Sequence, residues 1–258
     1  MNAAITQYID VAQVVLYLFW ALLAGVIFYL RREDKREGYP LESERSAHIT
    51  VQGFPSIPLP KTFNLADGTT VMAPSAARDD KRAVKATPIG NWPGAPLEPD
   101  GDAMVDGVGP ASYAERRDIP DATVHGTPKL VPLRSAEGFY LEARDPDPRG
   151  MNVVGADGVV GGVVRDVWVD RAEYIIRYLE IEVGDKGNKR NVLLPTTLSR
   201  ISGSAGKVTV NSILGSQFIK VPAHKKPDLV TRLEEDRICA FYASGNLYAT
   251  PARAEPLL

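Results

Sequence analysis

Cysteine, histidine and nucleotide-binding motifs are scarce in this sequence of 258 residues. The one cysteine, Cys239, excludes a disulfide within the chain, and its apolar neighbours favour a small buried side chain over a nucleophile. The three histidines, His48, His125 and His224, form no HxxxH or HExxH motif. The sequence contains no Gly-rich phosphate loop, no pair of metal-ligand cysteines and no nucleophile elbow, so we expect no catalytic site on this chain.

Neither sign of charge dominates, because the sequence has 30 Lys and Arg and 32 Asp and Glu, which give a net charge of −2. This balance provides no basic surface for nucleic acid, and no nucleic acid partner is expected. Basic residues are also absent from residues 1–10, which precede the longest apolar run. A signal peptide has a basic n-region, a shorter apolar stretch and a small-residue cleavage site, so the sequence favours a retained anchor.

That apolar run is VAQVVLYLFWALLAGVIFYL, from Val11 to Leu30. As a helix it would be about 30 Å long, which matches the hydrocarbon core of a bilayer. A core helix of a soluble protein would show a polar stripe at the helical period, and none is present. We therefore predict a transmembrane helix over residues 11–31, with Tyr29 in the interfacial aromatic belt.

Seven consecutive charged residues, Arg31–Glu37, follow the run directly. Four of these seven residues are basic, and no Lys or Arg precedes the apolar run. An excess of Lys and Arg marks the cytoplasmic side of a membrane. We predict a periplasmic N-terminus at residues 1–10 and a cytoplasmic location for the remainder. Arg31 and Arg32, with Tyr29, are candidates for contact with lipid at the membrane surface; a solvated flank without a lipid role is the alternative for each.

Proline is concentrated in the middle of the chain, where residues 40–132 hold thirteen of the twenty prolines. Proline fixes φ and removes a backbone donor, so long helices and central strands are not expected there. Aromatic residues such as Phe54 and Trp92 nevertheless recur. We predict that residues 32–132 form an extended segment ordered against a partner surface, with a short hairpin around Ala66–Gly68; a flexible linker is the alternative.

The remainder, residues 133–245, has the pattern of short strands separated by glycine-rich turns. The longest predicted strands are Val159–Asp170 and Tyr174–Val183, and shorter ones follow at Val192–Leu194 and Val208–Val210. Strands at a spacing of about ten residues predict a small antiparallel sheet or barrel.

Two other features of this region have structural interpretations. Gly161-Gly162 lacks the spacing of a nucleotide-binding fingerprint, and a bulge or tight bend in a strand explains it better. One helix is predicted near residues 228–242 with Asp228 as its N-cap. Glu234–Asp236 would then be a solvated or partner-facing acidic patch, and residues 246–258 an irregular tail.

Four segments, in this order, resemble one known family: REDKREGYPL after the apolar run, DGVGPASYAERRD, VVRDVWVD and LEEDRICAFYASGNLYA. Over essentially its whole length the chain resembles the H subunit of the purple-bacterial photosynthetic reaction centre, and its C-terminal domain resembles a PRC-barrel. The expected fold is one N-terminal transmembrane α-helix plus a mainly β cytoplasmic domain, with an extended Pro-rich segment and one C-terminal helix.

The resemblance implies an accessory, non-enzymatic subunit in a bacterial inner, intracytoplasmic photosynthetic membrane. Its expected partners are the L and M subunits, light-harvesting antenna polypeptides and membrane lipids. L and M would hold bacteriochlorophyll, bacteriopheophytin, quinones, non-haem iron and carotenoid, and this chain would bind no cofactor. It would stabilise the L/M core, shield the quinone sites and help deliver protons to the secondary quinone. A membrane-tethered PRC-barrel adaptor outside photosynthesis is the alternative.

Carboxylates near the end of one predicted strand are candidates for proton transfer. Asp166 and Asp170 lie on the same face by strand alternation, and Glu173 follows in the turn. Neighbouring carboxylates raise each other's pKa and burial under a partner raises it further, so a pKa of about 6 or 7 would permit proton relay at neutral pH. Arg177 would oppose that rise if close. A solvated strand end is the alternative.

The resemblance also implies a proton route with Asp170 and Glu173 near its inner end and Arg177 beside them. His125 matches the surface histidine at its mouth, and Thr127 stands where the family has a second histidine. His125 is then left alone to collect protons, and it is the sole candidate metal ligand on a chain for which no metal site is expected. An exposed loop histidine without a role is the alternative.

Overall fold

The computed structural model describes residues 10–254 except 44–45, 79, 93–94 and 186. The chain divides into an N-terminal unit, Met1–Arg82 with Asn91–Gly94, and a C-terminal unit, Ala83–Gly90 with Ala95–Leu258. Most of the later Pro-rich segment therefore belongs to the C-terminal unit.

Helix α1, Val11–Asp34, contains the apolar run and continues three residues beyond the predicted end at residue 31. Asp10 caps it, since its side chain accepts a hydrogen bond from the Ala12 amide at 2.9 Å. None of its residues is buried. Among the described residues it is the one helix long and apolar enough to cross a membrane.

Two short hairpins follow in the N-terminal unit. Strands β1 and β2 (Leu41–Ser43 and Ser46–Val51) pair antiparallel, and so do β3 and β4 (Lys61–Asn64 and Thr70–Ala73). The turn of the second hairpin is closed by a hydrogen bond from the Leu65 amide to the Thr69 carbonyl at 2.8 Å. The predicted hairpin around Ala66–Gly68 is present.

A two-stranded and a seven-stranded sheet form the C-terminal unit. Strands β5 and β6 (Ala86–Pro88 and Leu97–Pro99) make the small sheet. The strands of the large sheet are β7 Leu130–Pro132, β8 Asn152–Val154, β9 Val160–Asp170, β10 Ile175–Val183, β11 Arg190–Pro195, β12 Arg200–Ser202 and β13 Lys207–Thr209.

The large sheet has the order β11-β10-β9-β8-β13-β12, and β7 also pairs with β9. All its pairings are antiparallel except β8 with β13, which is parallel. The four strands predicted from the sequence are present. The sequence analysis did not predict β7, β8 and β12, which have three residues each.

Strand β9 is irregular at the glycine pair, and its register with β8 shifts between Val153 and Val154. A Cβ on Gly161 would overlap the ring of Phe218, and one on Gly162 would overlap the Glu182 carbonyl. The glycines thus permit close packing at a bulge, as the sequence predicted.

The hydrophobic core lies between the large sheet and helix α3, Arg232–Tyr248. Its largest fully buried side chains include Trp168, Phe218, Phe241 and Tyr242. Burying each such side chain contributes roughly 1.5–3 kcal/mol before entropic costs. The structure confirms the predicted fold class of one apolar N-terminal helix, a mainly β domain and a C-terminal helix.

Helix α3 begins later and ends later than predicted. Thr231, not Asp228, is its N-cap, and Thr231 with Glu234 forms a capping box. The helix continues to Tyr248 through Gly245, where a Cβ would overlap the Ser212 carbonyl. This glycine allows the helix to approach its neighbour closely and does not terminate it.

Part of the Pro-rich segment is ordered against the chain's own C-terminal unit. The short helix α2, Ala103–Asp106, buries Ala103 and Met104, and the turn Gly109–Ala111 buries Ala111. Met104 joins the main hydrophobic cluster. The sequence analysis expected a partner protein to cover this segment. Ala103, Met104 and Ala111 are instead covered by other residues of the same chain.

Candidate functional site

Four charged residues meet where strand β9 turns into β10. Asp170 ends β9, Glu173 lies in the turn, and Arg177 follows on β10. Lys129 joins them because it precedes Leu130, which pairs with Asp170 across the sheet. We call Lys129, Asp170, Glu173 and Arg177 the hairpin cluster.

The two carboxylates of the hairpin cluster share the same two cations. Lys129 Nζ lies 2.9 Å from Glu173 Oε1 and 3.2 Å from Asp170 Oδ2. Arg177 Nη2 lies 2.6 Å from Glu173 Oε2, and its Nε lies 3.4 Å from Asp170 Oδ2. Asp170 is 1% exposed, whereas the side chain of Glu173 is 48% exposed. The cluster therefore connects a buried carboxylate with the protein surface.

The pKa of Asp170 is lowered, opposite to the rise expected from the sequence. Burial alone would raise this pKa, but hydrogen bonds from the amides of Glu173 and Ala172, at 3.0 and 2.9 Å, and from Lys129 outweigh it. The hydrogen bonds to Glu173 and Asp170 in turn raise the pKa of Lys129. Strand alternation could not reveal the turn amides or Lys129, which stabilise the ionised form.

We expect Asp170→Asn to destabilise the chain at neutral pH. Because folding lowers the pKa of Asp170, its ionisation stabilises the fold above its unfolded value of about 4, and this contribution is lost as the pH falls through the folded value. The melting temperatures of wild type and variant should differ by a constant amount from pH 5 to 8 and converge below pH 4. A difference that widens on acidification would contradict this assignment.

Asp166 lies outside the hairpin cluster, in a second group that we call the Arg134 network. Arg134 Nη1 lies 3.1 Å from Asp166 Oδ2 and 2.6 Å from Glu180 Oε2. Glu180, 2% exposed, also accepts hydrogen bonds from Trp168 Nε1 at 3.0 Å and Asn191 Nδ2 at 2.6 Å. These contacts give Asp166 a structural role across β9 and β10, and none of them joins it to Asp170.

His125 is exposed at the tip of a loop that leads into the hairpin cluster. The Thr123 amide donates to the Thr127 carbonyl, and the Lys129 amide donates to the Asp121 carbonyl, each at 2.8 Å. The hydroxyls of Thr123 and Thr127 are also 2.8 Å apart. In the described part of the chain, no group of three or more His, Cys, Asp or Glu is arranged to hold a metal ion.

The acidic stretch Glu234–Asp236 is not a solvated patch. Glu234 is 6% exposed and accepts from the Thr231 amide at 2.9 Å, in the capping box of α3. Asp236 lies 3.1 Å from Arg116 Nε. The Thr-x-x-Glu spacing was the available sequence signal for this cap.

Glu235 is a titratable group near the hairpin cluster that sequence reasoning missed. Its Oε2 accepts a hydrogen bond from the Tyr178 hydroxyl at 2.9 Å. Burial raises the pKa of Glu235, the Tyr178 hydrogen bond partly offsets this, and the negative charges of Asp121 and Asp170 raise it further. Cys239 packs against the main core and lies 3.7 Å from the same hydroxyl, which agrees with a structural cysteine.

The membrane-interface candidates lie near the end of α1. Tyr29 is 56% exposed. Arg31 and Arg32 are exposed as well, and Arg31 lies 3.7 Å from Asp34. This placement leaves all three side chains available to lipid or to a partner.

Two family models match the chain. Residues 3–135, just over half of the sequence, match the N-terminal region of the photosynthetic reaction centre H-chain. The chain belongs to the reaction centre H-chain family. Residues 142–217 match the PRC-barrel domain, and they include strands β8 to β13.

Membership of the H-chain family gives the chain a place in a larger assembly. Members of this family are a structural subunit of the light-driven reaction centre complex, and membership therefore implies L and M subunits as partners. Together with helix α1, it indicates a single-pass membrane protein. The family match favours this subunit over a PRC-barrel adaptor outside photosynthesis.

Proposed function

We propose that this H-chain caps the L/M core on its cytoplasmic side, shields the quinone sites from water and helps deliver protons to the secondary quinone. The pigments, quinones, iron and carotenoid belong to L and M in this proposal, and the chain itself holds no cofactor. Antenna polypeptides and lipids are further proposed partners. The observation that supports the proton role is the hairpin cluster, in which one buried and one exposed carboxylate share Lys129 and Arg177.

The two carboxylates have different tasks in this proposal. Asp170 stays ionised, because its lowered pKa reflects fixed backbone donors, and it holds Lys129 and Arg177 in place. Glu173 is half exposed and is held by the same two cations, so it links the buried carboxylate to the protein surface. In the proposed route Glu173 forms the surface-accessible end of the hairpin cluster, and His125, on the exposed loop that ends at Lys129, lies at the mouth of the route.

The proposed orientation places the N-terminus in the periplasm and the C-terminal unit in the cytoplasm of a photosynthetic inner membrane. Four basic residues follow the apolar run of α1, which supports this orientation through the positive-inside rule. Protease added to sealed vesicles with the cytoplasmic face outward should digest the C-terminal unit. Protection of that unit in such vesicles would reverse the assignment.

Copurification tests the proposed assembly in one step. An affinity tag on the chain, in mildly solubilised membranes of the native host, should recover L, M and bacteriochlorophyll in fixed proportion. A parallel purification with a tag on the M subunit is the control and should recover this chain. Recovery of the tagged chain without pigment, together with its absence from the M preparation, would leave only the adaptor alternative.

A further inference from the structure

The chain that follows helix α1 folds back onto the end of the helix. Lys35, the residue after α1, is 4% exposed although it is a lysine. Its Nζ donates to the carbonyl of Gln52 at 2.5 Å and to that of Pro55 at 2.6 Å. These two carbonyls flank Phe54, so Lys35 fixes the loop of residues 52–55 against the helix end.

This attachment places Phe54 beside the apolar part of α1. Phe54 is 86% exposed, and the centre of its ring lies 5.8 Å from that of the Phe28 ring. Phe28 precedes the helix end at Asp34 by six residues, which is about 9 Å along the axis. The Phe54 ring therefore lies beside Phe28, two residues before the apolar run ends at Leu30.

A second attachment holds the following residues of the same polypeptide, including the hairpin β3–β4, to the charged end of helix α1. Arg36 Nη1 donates to the carbonyls of Leu59 at 2.8 Å and Ala73 at 2.9 Å. Glu33 lies 2.8 Å from both Arg36 Nη2 and Lys61 Nζ. Three of the seven charged residues after the apolar run, Glu33, Lys35 and Arg36, thus fasten the following loop and hairpin to the helix.

We propose that the loop of residues 52–55 is a second membrane anchor, with the Phe54 ring in lipid at the boundary between acyl chains and headgroups. Phe54 continues the exposed apolar surface of α1, and aromatic rings favour this depth. Irregular backbone is costly in lipid unless its polar groups are satisfied. Here Lys35 satisfies two carbonyls, and Pro55 has no amide hydrogen. The anchor depends on the membrane span of α1 and is independent of the proposed proton role.

Photo-crosslinking in native membranes tests the anchor. In the assembled complex, Phe54→p-benzoylphenylalanine should give adducts with lipid acyl chains after ultraviolet irradiation, detected by mass spectrometry. Phe28→p-benzoylphenylalanine, on the helix at the same depth, is the positive control. Tyr140→p-benzoylphenylalanine is the matched control, because Tyr140 is an aromatic residue of the C-terminal unit with 82% exposure, and it should capture no lipid.

The outcomes separate lipid from the other occupants of this surface. Adducts of position 54 with L or M in place of lipid would overturn the proposal and assign the loop to a protein interface. Absence of any lipid adduct at position 54, with lipid captured at position 28, would place the ring in water and also overturn it. Lys35→Gln should largely abolish lipid capture at position 54 and leave capture at position 28 unchanged; unchanged capture at position 54 would refute the role of Lys35.

Discussion

The double variant Asp170→Asn/Glu173→Gln should slow the proton-coupled transfer of the second electron to the secondary quinone by on the order of 10²-fold, since a positioned proton donor contributes about that much. Both amides keep the size of the side chains but cannot carry the charge that organises Lys129 and Arg177 or bind and release the proton. Flash spectroscopy of the purified complex measures the rate. Primary charge separation should stay fast, because it requires no proton from this chain.

The appropriate control is Glu182→Gln. Glu182 also lies between an arginine and a lysine, at 2.7 Å from Arg165 and 2.6 Å from Lys189, but it is outside the hairpin cluster. The variant Glu182→Gln should leave the rate of the second electron transfer unchanged. Equal slowing by Glu182→Gln would show a general effect of surface charge, and an unchanged rate in the double variant would remove the proton role while leaving the structural role intact.

Arg134→Met should destabilise the chain by about 3 kcal/mol, because it leaves buried carboxylates without their cation. The side chains of Glu180 and Asp166 are only 3% and 8% exposed. Methionine fills similar space but supplies neither charge nor donor. Denaturant unfolding of the purified full chain in detergent, followed by tryptophan fluorescence, to which the buried Trp168 contributes, measures the loss.

The matched control for this variant is Arg165→Met. The side chains of Arg165 and Arg134 are similarly exposed, at 48% and 42%, but Arg165 pairs with the more accessible Glu182. Arg165→Met should destabilise the chain much less than Arg134→Met, because surface ion pairs contribute little to stability. If both variants cost the same, burial of Glu180 and Asp166 does not determine the energetics of the Arg134 network.

Periodic features of the sequence predicted the fold well. The apolar run from Val11 to Leu30 predicted α1, and alternation predicted β9 and β10 within one residue at each end. Such patterns report burial along a single element. They do not report what a neighbouring element supplies, so the packing of α2 on the C-terminal unit and the extension of α3 through Gly245 came only from the structure.

The candidate site was predictable only in part. Asp170, Glu173 and Arg177 are close in sequence and share one hairpin, so local spacing indicated their proximity. Lys129 directly precedes β7 and is brought to them by the pairing of β7 with β9, and the direction of the Asp170 pKa shift depends on two turn amides. Asp166 looked equivalent to Asp170 by alternation, yet Arg134 from a distant segment gives it a different environment.

Reconstitution decides whether the carboxylates of this chain supply the protons. The chain would be removed from the purified complex and then rebound as wild type or as the double variant, and the second-electron rate measured with pigment content held constant. We expect wild type to restore the fast rate, and the double variant to rebind and restore quinone shielding without restoring the fast rate. Full restoration of the rate by the double variant, at equal occupancy, would contradict the proposal that protons pass through the hairpin cluster.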